Sequence, residues 1–402
     1  MKKQLVICGG GNSAHAAIPL LRDSIFDVSL YTSRPEIWSK TIELEWHDPD
    51  GNVRGRYSNE LKAISNDPNE LIPTADYIFL CMPVHKYRVC LHTIAPYISH
   101  DKTVVIGVAY GQGGFNWMVD EIRKEYGLTN IVEFAFGLIP WTSRAEKLGH
   151  KGVMFGFKDR LCAAVYPKEY YNQINKEFFD QISYKWSGKG KVEQCDNFLS
   201  LTLSVDNQII HTSRCHGLYA VYGKSWKKLE DVPWFYRDYD DISAQELADL
   251  DAEYTLIRNT IKALHPEKDY HLMMDYLSLD HYSFNADVNE SVKDSFLNSV
   301  TLGTIKTPVV QNSDGEWEID RNYRFFMDDI YYGNCIAKWI AEQLGINTPK
   351  IDEIIRWAQE VRQEKLISDD NRLLINSPDL SAPFKSGLPC YYGFKTIDDC
   401  ID

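Results

Sequence analysis

The sequence predicts an α/β protein in which an N-terminal Rossmann-type, doubly wound sheet precedes a mainly α-helical C-terminal domain. Short apolar segments alternate with helical segments in the first half of the 402 residues, whereas helical periodicity dominates the second half. The change occurs near 187–191, a short run rich in glycine and lysine. We therefore expect a nucleotide-binding domain over 1–190 and a helical domain over 191–402.

The first half contains short, continuously apolar segments of strand length. Strands are predicted at 4–8, 27–32, 76–82, 103–109, 130–136 and 152–157. Because strands that are apolar on both faces need helices on both sides, these segments indicate a mostly parallel sheet. Such a sheet binds its ligand at the carboxyl ends of its strands.

The second half contains two well-marked helices. A capping box at 243–246 predicts the start of the first helix. Its apolar stripe consists of Leu247, Leu250, Tyr254, Ile257, Ile261 and Leu264. The second helix is predicted from about 330 to 344, with Gly345 as its stop and Pro349 beyond.

A glycine-rich turn follows the first predicted strand directly and precedes a helix-forming run. Gly9, Gly11 and Ala14 fit the G-x-G-x-x-G/A pattern of dinucleotide-binding turns. Gly9 permits the tight turn, Gly11 allows the backbone to approach a pyrophosphate, and Ala14 allows close packing of helix on strand. We assign cofactor binding to Gly9, Gly10, Gly11, Asn12, Ser13, Ala14 and, after the third strand, Pro83. His15 is expected to be a helix-start residue near the cofactor and not a catalyst.

The end of the second predicted strand bears on the choice of nicotinamide cofactor. An NAD-selective site usually places an acidic residue there, but this chain has Thr32, Ser33 and Arg34. The Arg34 guanidinium can hold a 2′-phosphate through charge-assisted hydrogen bonds. It can also stack on adenine or remain solvated, and arginine accommodates either cofactor. The sequence favours NADP(H) over NAD(H).

Two segments of the second half carry residues suited to acid–base chemistry. Asn207 and His211 are four residues apart and share one face of a helix. Histidine transfers protons near neutral pH, although a histidine on a partly apolar helix is more often a packing residue.

The other segment places two acids, Asp328 and Asp329, at a predicted helix start. Both residues can serve as N-caps there, or Asp329 can orient and support His211. Arg324 can clamp a substrate carboxylate in a bidentate pair. Gln112, in a glycine-rich loop, is a candidate contact for the same substrate, with an ordinary loop as the alternative.

With these residues in place, the sequence resembles the octopine/opine dehydrogenase family nearly from end to end. The matching motifs, with x for positions outside the match, are GGGNxAH at 9–15, FGLIPWxxR at 136–144, NxxxH at 207–211, RxxxDDIxxG at 324–333, WAQE at 357–360 and YGFxTID at 392–398. The resemblance implies a second domain like the C-terminal domain of 6-phosphogluconate dehydrogenase. It also implies NAD(P)H-dependent reductive condensation of an amino acid with a 2-oxo acid, often pyruvate. The product would be a secondary-amine dicarboxylate, formed through an imine.

The resemblance also implies roles for individual residues. His211 and Asp329 match the family's catalytic pair, with Asn207 beside them, and Arg324 matches its substrate-carboxylate arginine. Two positions depart from the family pattern. Gly137 stands where octopine-forming enzymes have an acidic residue, so arginine is not expected as the amine substrate. Thr212 replaces a proline that follows the histidine in many relatives.

Two other functions remain open at this point. One is a two-domain Rossmann dehydrogenase, similar to ketopantoate reductase or a hydroxyacid dehydrogenase, that reduces a keto acid or ketone directly. The other is a non-catalytic NAD(P)-binding protein. Fold alone does not decide between them.

The composition indicates which binding partners and which cellular compartment to expect. A net charge of −14 argues against nucleic acid or an anionic membrane as the main partner. The nine cysteines form no C-x-x-C pair, and no signal peptide or membrane span is recognised, so a cytoplasmic protein is expected. No metal site is expected, because no His/Cys cluster has ligand spacing. A monomer or homodimer is expected.

Overall fold

A computed structural model describes residues 2–48, 50–204, 206–287, 289–299, 302–377 and 382–401. The chain divides into two compact units, Met1–Leu201 and Thr202–Asp402. The division lies later than the one expected after residue 190, because Lys191–Cys195 pairs with Arg160–Tyr166 in the sheet of the first unit. Among the described residues, no helix combines the length and the apolar character needed to span a bilayer.

The first unit is built on a large, mostly parallel sheet. The strands of this unit are β1 (Lys3–Cys8), β2 (Phe26–Tyr31), β3 (Thr41–His47), β4 (Val53–Glu60), β5 (Ile64–Ser65), β6 (Tyr77–Leu80), β7 (Val104–Val108), β8 (Ile131–Phe136), β9 (Trp141–Lys147), β10 (Lys151–Phe157), β11 (Arg160–Tyr166) and β12 (Lys191–Cys195). In the described part of the unit, eight of them form one sheet in the order β12-β11-β8-β7-β6-β1-β2-β5. Its pairs are parallel except for β8 with β11. The predicted Rossmann-type sheet is confirmed.

Helices accompany these strands. They are α1 (Asn12–Leu20), α2 (Pro68–Leu71), α3 (Tyr87–Ile94), α4 (Phe115–Tyr126), α5 (Tyr171–Ile174), α6 (Asp180–Ile182), α7 (Tyr184–Ser187) and α8 (Phe198–Ser204), with a π-helical turn at Asn175–Phe179. The central strands β6, β7 and β8 are buried along their whole length, as their mostly apolar sequences require; the exception is Glu133 of β8, which pairs with Arg123.

A second sheet in the first unit was not predicted. Its order is β4-β3-β10-β9, and α1 packs against it. The segment at 152–157 is therefore a strand, as predicted, but its assignment to the main sheet is wrong. The pairing of β10 with β3 and β9 removes it from that sheet. Strands β3 and β4 alternate charged with apolar residues, so their sequences lack the continuous apolar signal of the main sheet.

The second unit is mainly helical, as the sequence predicts. Its helices are α9 (Asn207–Tyr222), α10 (Asp241–Leu264), α11 (Tyr276–Phe284), α12 (Val292–Leu297), α13 (Arg324–Met327), α14 (Cys335–Leu344), α15 (Pro349–Arg362) and α16 (Ala382–Gly387). A short hairpin joins β13 (Val309–Gln311) and β14 (Trp317–Ile319).

The two predicted helices of this unit differ from expectation at their starts. Helix α10 begins before the predicted capping box, because the Asp240 carboxylate caps it by accepting from the Ser243 amide at 2.8 Å. The helix predicted at 330–344 is a π-helical turn, Ile330–Asn334, followed by α14. Gly345 ends α14 with φ of 66°, which confirms the predicted stop.

Candidate functional site

The glycine-rich turn has the geometry that a bound dinucleotide requires. Gly9 has φ of +102°, and a Cβ there would lie 2.6 Å from the carbonyl oxygen of Cys81. A side chain is therefore excluded at Gly9 on both conformational and steric grounds. At Gly11 a Cβ would meet only the Cys81 oxygen at 3.9 Å, so the turn is open there. This open face is where a pyrophosphate can approach the backbone.

The start of α1 supplies donors for an anion. Gly11 is the N-cap and no side chain caps the helix, so its first amide groups remain available. The Asn12 side chain is used elsewhere, since its Oδ1 accepts from the Ala145 amide at 2.9 Å. Ser13 is half-buried and Ala14 fully buried. The main chain at 11–14 therefore offers the anion contact, while Ala14 packs inward.

His15 has a structural role, as expected. The Gly149 amide donates to its Nε2 at 2.8 Å, so its Nδ1 carries the proton and donates to the Gly11 carbonyl at 2.8 Å. Burial lowers the pKa of His15, which favours this neutral tautomer. The Trp38 ring, 4.6 Å from the imidazole, also covers Gly10. These contacts join the glycine turn to the β9–β10 hairpin.

The remaining cofactor candidates differ in exposure. Thr32 is buried, and its amide donates to the Ser65 carbonyl at 3.0 Å. Ser33, Arg34 and Pro83 are exposed. Arg34 has no ion-pair partner among the residues that the structure describes, so its guanidinium is available to an anionic ligand.

The candidate substrate residue of the first unit, Gln112, is buried at the carboxyl-end side of β7. It lies in a sharp turn in which Gly113 and Gly114 have φ of 78° and 68°. Gly137, which follows β8, has no space for a side chain. A Cβ at Gly137 would lie 2.6 Å from Cys162 Sγ.

In the second unit the structure brings His211 and Asp329 together. His211 lies on the first turns of α9, and Asp329 immediately precedes the π-helical turn. Their Nδ1 and Oδ2 atoms are 2.8 Å apart. His211 is 1% exposed and Asp329 is not exposed at all. A histidine and a carboxylate at this distance form an acid–base pair in which the carboxylate fixes the tautomer.

Two further residues of this site were missed by the sequence analysis. Tyr236 Oη lies 3.0 Å from His211 Nε2, and the Phe325 ring stacks on the imidazole at 3.8 Å between centroids. Tyr236 lies in a segment without periodicity, far from His211 in sequence, so no spacing signalled it. Phe325 adjoins Arg324, and that adjacency was the available signal.

Electrostatics favour a neutral histidine and a protonated tyrosine. Burial lowers the pKa of His211 well below its usual value, and the positive charge of Arg324 lowers it further. Burial also raises the pKa of Tyr236. With Nδ1–H donated to Asp329, the neutral imidazole accepts from the Tyr236 hydroxyl at Nε2.

Arg324 is half-buried at the start of α13, with its guanidinium 5.2 Å from the centroid of the Phe325 ring. Burial is the largest single influence and opposes its charge, but Asp329, Asp328 and two neighbouring tyrosines together outweigh it, so the pKa of Arg324 is raised. The Arg324 guanidinium has no hydrogen-bond partner among the described residues, whereas its carbonyl accepts from the Asp328 amide. A fixed cation in this position suits a carboxylate ligand.

Asn334 holds the main chain of Asp329 in place. Its Nδ2 donates to the Asp329 carbonyl at 3.1 Å and to Thr212 Oγ1 at 3.2 Å. Thr212, the residue after the histidine, thus takes part in joining α9 to the π-helical turn. Asn207, also a predicted catalytic residue, begins α9 and is half-buried, one turn before His211. Its placement on the same helix agrees with the predicted spacing, and its role stays a prediction.

One group of possible metal ligands occurs among the described residues. Ligand atoms of His216, Glu246 and Glu353 lie within 4.8 Å of one another. Lys350 Nζ is 3.2 Å from Glu246 and 2.7 Å from Glu353, so an ammonium group already balances these carboxylates. The cluster is explained as an ion-pair network.

The fold and these residues define a class: two-domain proteins with a Rossmann-type nucleotide-binding unit and a helical unit that carries a buried acid–base pair. Residues 194–362 match the family model described as NAD/NADP octopine/nopaline dehydrogenase, alpha-helical domain. An opine dehydrogenase of Haliotis discus hannai is 26% identical over 100% of this chain and 99% of its own. The chain is therefore similar to opine dehydrogenases along its whole length.

Solved structures share the fold. An octopine dehydrogenase structure with NADH and L-arginine matches with a TM-score of 0.79 at 21% identity, covering 100% of this chain and 98% of its own. A yersinopine dehydrogenase structure with NADP⁺ matches with a TM-score of 0.61 at 12% identity, covering 90% of this chain and 91% of its own. These likenesses concern the fold alone.

Proposed function

We propose that this protein catalyses the NAD(P)H-dependent reductive condensation of an amino acid with a 2-oxo acid such as pyruvate. The amine and the ketone first lose water to form an imine, and reduction then gives a secondary-amine dicarboxylate. The observation that carries the proposal is the buried His211–Asp329 pair with a cationic Arg324 nearby. This arrangement combines groups that transfer a proton with a group that binds a carboxylate. The condensation of a 2-oxo acid with an amine needs both.

Each residue of the site has a distinct role. Arg324 binds the carboxylate of the 2-oxo acid, and Gln112 is the substrate-binding residue proposed for the first unit. His211, when protonated, supplies the proton that converts the departing hydroxyl into water. Asp329 holds the imidazole in one tautomer and supports its positive charge. Asn207 lies on the same helix face and contributes to the same site.

The glycine turn would hold the dinucleotide. Gly9 and Gly11 allow the close approach, and the free amide groups at the start of α1 bind the pyrophosphate. Reduced nicotinamide supplies the hydride when it is bound. Homologues of this fold have been solved with NADH and with NADP⁺. We infer a preference for NADP(H), supported by the exposed, unpaired Arg34 and the absence of an acid at 32–34.

We further infer that arginine is a poor amine substrate. A buried guanidinium requires a carboxylate partner, and Gly137 supplies none. A Cβ at Gly137 would lie 2.6 Å from Cys162 Sγ, so an acidic side chain at this position would require Cys162 to move.

A substrate screen tests the proposal. NADPH and NADH oxidation is measured with pyruvate alone, with each amino acid alone, and with pyruvate plus each amino acid. We expect oxidation that requires both substrates, with arginine among the weakest amines. Turnover with the keto acid alone would instead identify a ketone-reducing dehydrogenase, and cofactor binding without any turnover would identify a binding protein.

We also propose a cytoplasmic location, supported by nine cysteines that are all free. The proposed oligomeric state is monomer or homodimer, which light scattering coupled to gel filtration measures directly.

A further inference from the structure

We propose that Tyr236 is a catalytic residue and that His211 exchanges its proton with the substrate through the Tyr236 hydroxyl. The inference rests on the proposed reductive condensation and deepens it by naming the group that touches the reacting atoms.

The first reason is that both nitrogens of the imidazole are already occupied. Nδ1 lies 2.8 Å from Asp329 Oδ2, and Nε2 lies 3.0 Å from Tyr236 Oη. Phe325 covers one face of the ring. A substrate atom in hydrogen-bond contact with Nε2 would have to displace Tyr236. If Tyr236 stays in place, a proton moves between His211 and the substrate through Tyr236 Oη.

The second reason is that the Tyr236 hydroxyl needs a hydrogen-bond acceptor in each protonation state of His211. In the neutral state Tyr236 donates its proton to Nε2. When Nε2 becomes protonated it donates to Oη, and the hydroxyl proton of Tyr236 must turn to another acceptor. Among the residues that the structure describes, His211 is the only hydrogen-bond partner of Oη. A substrate oxygen is then the acceptor that the protonated state requires.

The third reason is that the position of Tyr236 is firmly held. Arg214 lies one turn after His211 on α9 and is completely buried. Its Nε donates to the Phe235 carbonyl at 2.8 Å, and its Nη2 donates to the Asp238 carbonyl at 2.8 Å. The same helix therefore carries the histidine and fixes the segment that presents the tyrosine.

Each proton that moves in this step has a donor and an acceptor. In the adduct of amine and 2-oxo acid, the C–O bond breaks while the nitrogen lone pair forms the C=N bond. The departing hydroxyl takes the Tyr236 proton and leaves as water. Oη regains a proton from Nε2, so the imidazolium becomes a neutral imidazole. Asp329 keeps its hydrogen bond to Nδ1–H throughout.

The test compares Tyr236→Phe with Tyr239→Phe. Tyr239 lies in the same segment and is equally buried, but its hydroxyl donates to the Ser243 carbonyl and not to His211. We expect Tyr236→Phe to lower kcat by about a hundredfold, the usual contribution of an acid–base group. The KM for pyruvate and the melting temperature should stay close to those of Tyr239→Phe, which should retain wild-type kcat.

A proton inventory distinguishes a relay from a structural role. With turnover measured in mixtures of H₂O and D₂O, the wild type should give a curved plot, because two protons move in one step. Tyr236→Phe should give a linear plot for its residual rate. Retention of more than about a third of kcat by Tyr236→Phe, an equal loss in Tyr239→Phe, or a linear wild-type plot would overturn the relay. A wild-type enzyme without amine-dependent turnover would overturn the proposed function as well, so the two failures are distinguishable.

Discussion

His15 and His211 are both buried, but their surroundings give them different roles. The two ring nitrogens of His15 bond to main-chain groups, which do not titrate. Those of His211 bond to a carboxylate and a phenol, which exchange protons. The sequence alone gives the two histidines similar helical contexts. What separates them is the chemistry of the partner atoms, which depends on tertiary packing.

Arg34 carries the prediction of cofactor preference. Arg34→Ala should lower the ratio of kcat/KM for NADPH to that for NADH by about tenfold or more, because a charge-assisted bond to the 2′-phosphate is lost. The matched control is Arg54→Ala, an exposed arginine of the same unit that pairs with Asp48 at 2.9 Å. Steady-state kinetics with both cofactors give the ratio, and an unchanged ratio in Arg34→Ala would refute the NADP(H) assignment.

Among the elements, the π-helical turn at Ile330–Asn334 was the hardest to foresee. Its sequence has ordinary helical periodicity, so the sequence predicts one continuous helix from 330 to 344. The Asn334 amide donates to the Asp329 carbonyl, the i→i+5 bond that widens the turn. Its side chain fixes the same carbonyl. The bulge places Asp329 opposite His211, and side-chain contacts across the fold produce it.

The start of α10 also could not be predicted from a local sequence motif. The predicted capping box is present in the sequence, but Asp240 caps the helix instead, because the Asp240 carboxylate has two functions. It caps the Ser243 amide and pairs with the fully buried guanidinium of Arg214. The second contact joins segments far apart in sequence, so local patterns do not reveal it.

This double role predicts an unusually large effect on stability. Asp240→Ala should lower the free energy of unfolding by about 3 kcal/mol or more, since it removes a cap and leaves a buried charge unpaired. Asp275→Ala is the matched control. Asp275 caps α11 through the Ser278 amide at 2.9 Å, and no buried arginine pairs with it, so a loss of about 1 kcal/mol is expected. Urea unfolding followed by circular dichroism measures both, and equal losses would contradict the explanation.

For the whole molecule, the sequence predicts the two-unit α/β architecture and most central strands, because continuous apolar segments are strong signals. It does not predict the second sheet, whose strands β3 and β4 are polar and alternating. The candidate site likewise contains residues that the sequence predicts and residues that it does not. His211, Asp329 and Arg324 carry recognisable spacing, whereas Tyr236 and Asn334 join the site only through the fold.

The proposed reaction delivers the hydride to a carbon that is joined to the amine nitrogen. The most direct measurement uses nicotinamide cofactor with deuterium at the transferable C4 position, together with pyruvate and the best amine from the screen. Mass spectrometry should find one deuterium on the former carbonyl carbon of a secondary-amine product. That product should have the mass of the two substrates combined, less one oxygen atom, and heavier by the difference between deuterium and hydrogen. Deuterium found in a 2-hydroxy acid instead, with no condensed product, would contradict the claim.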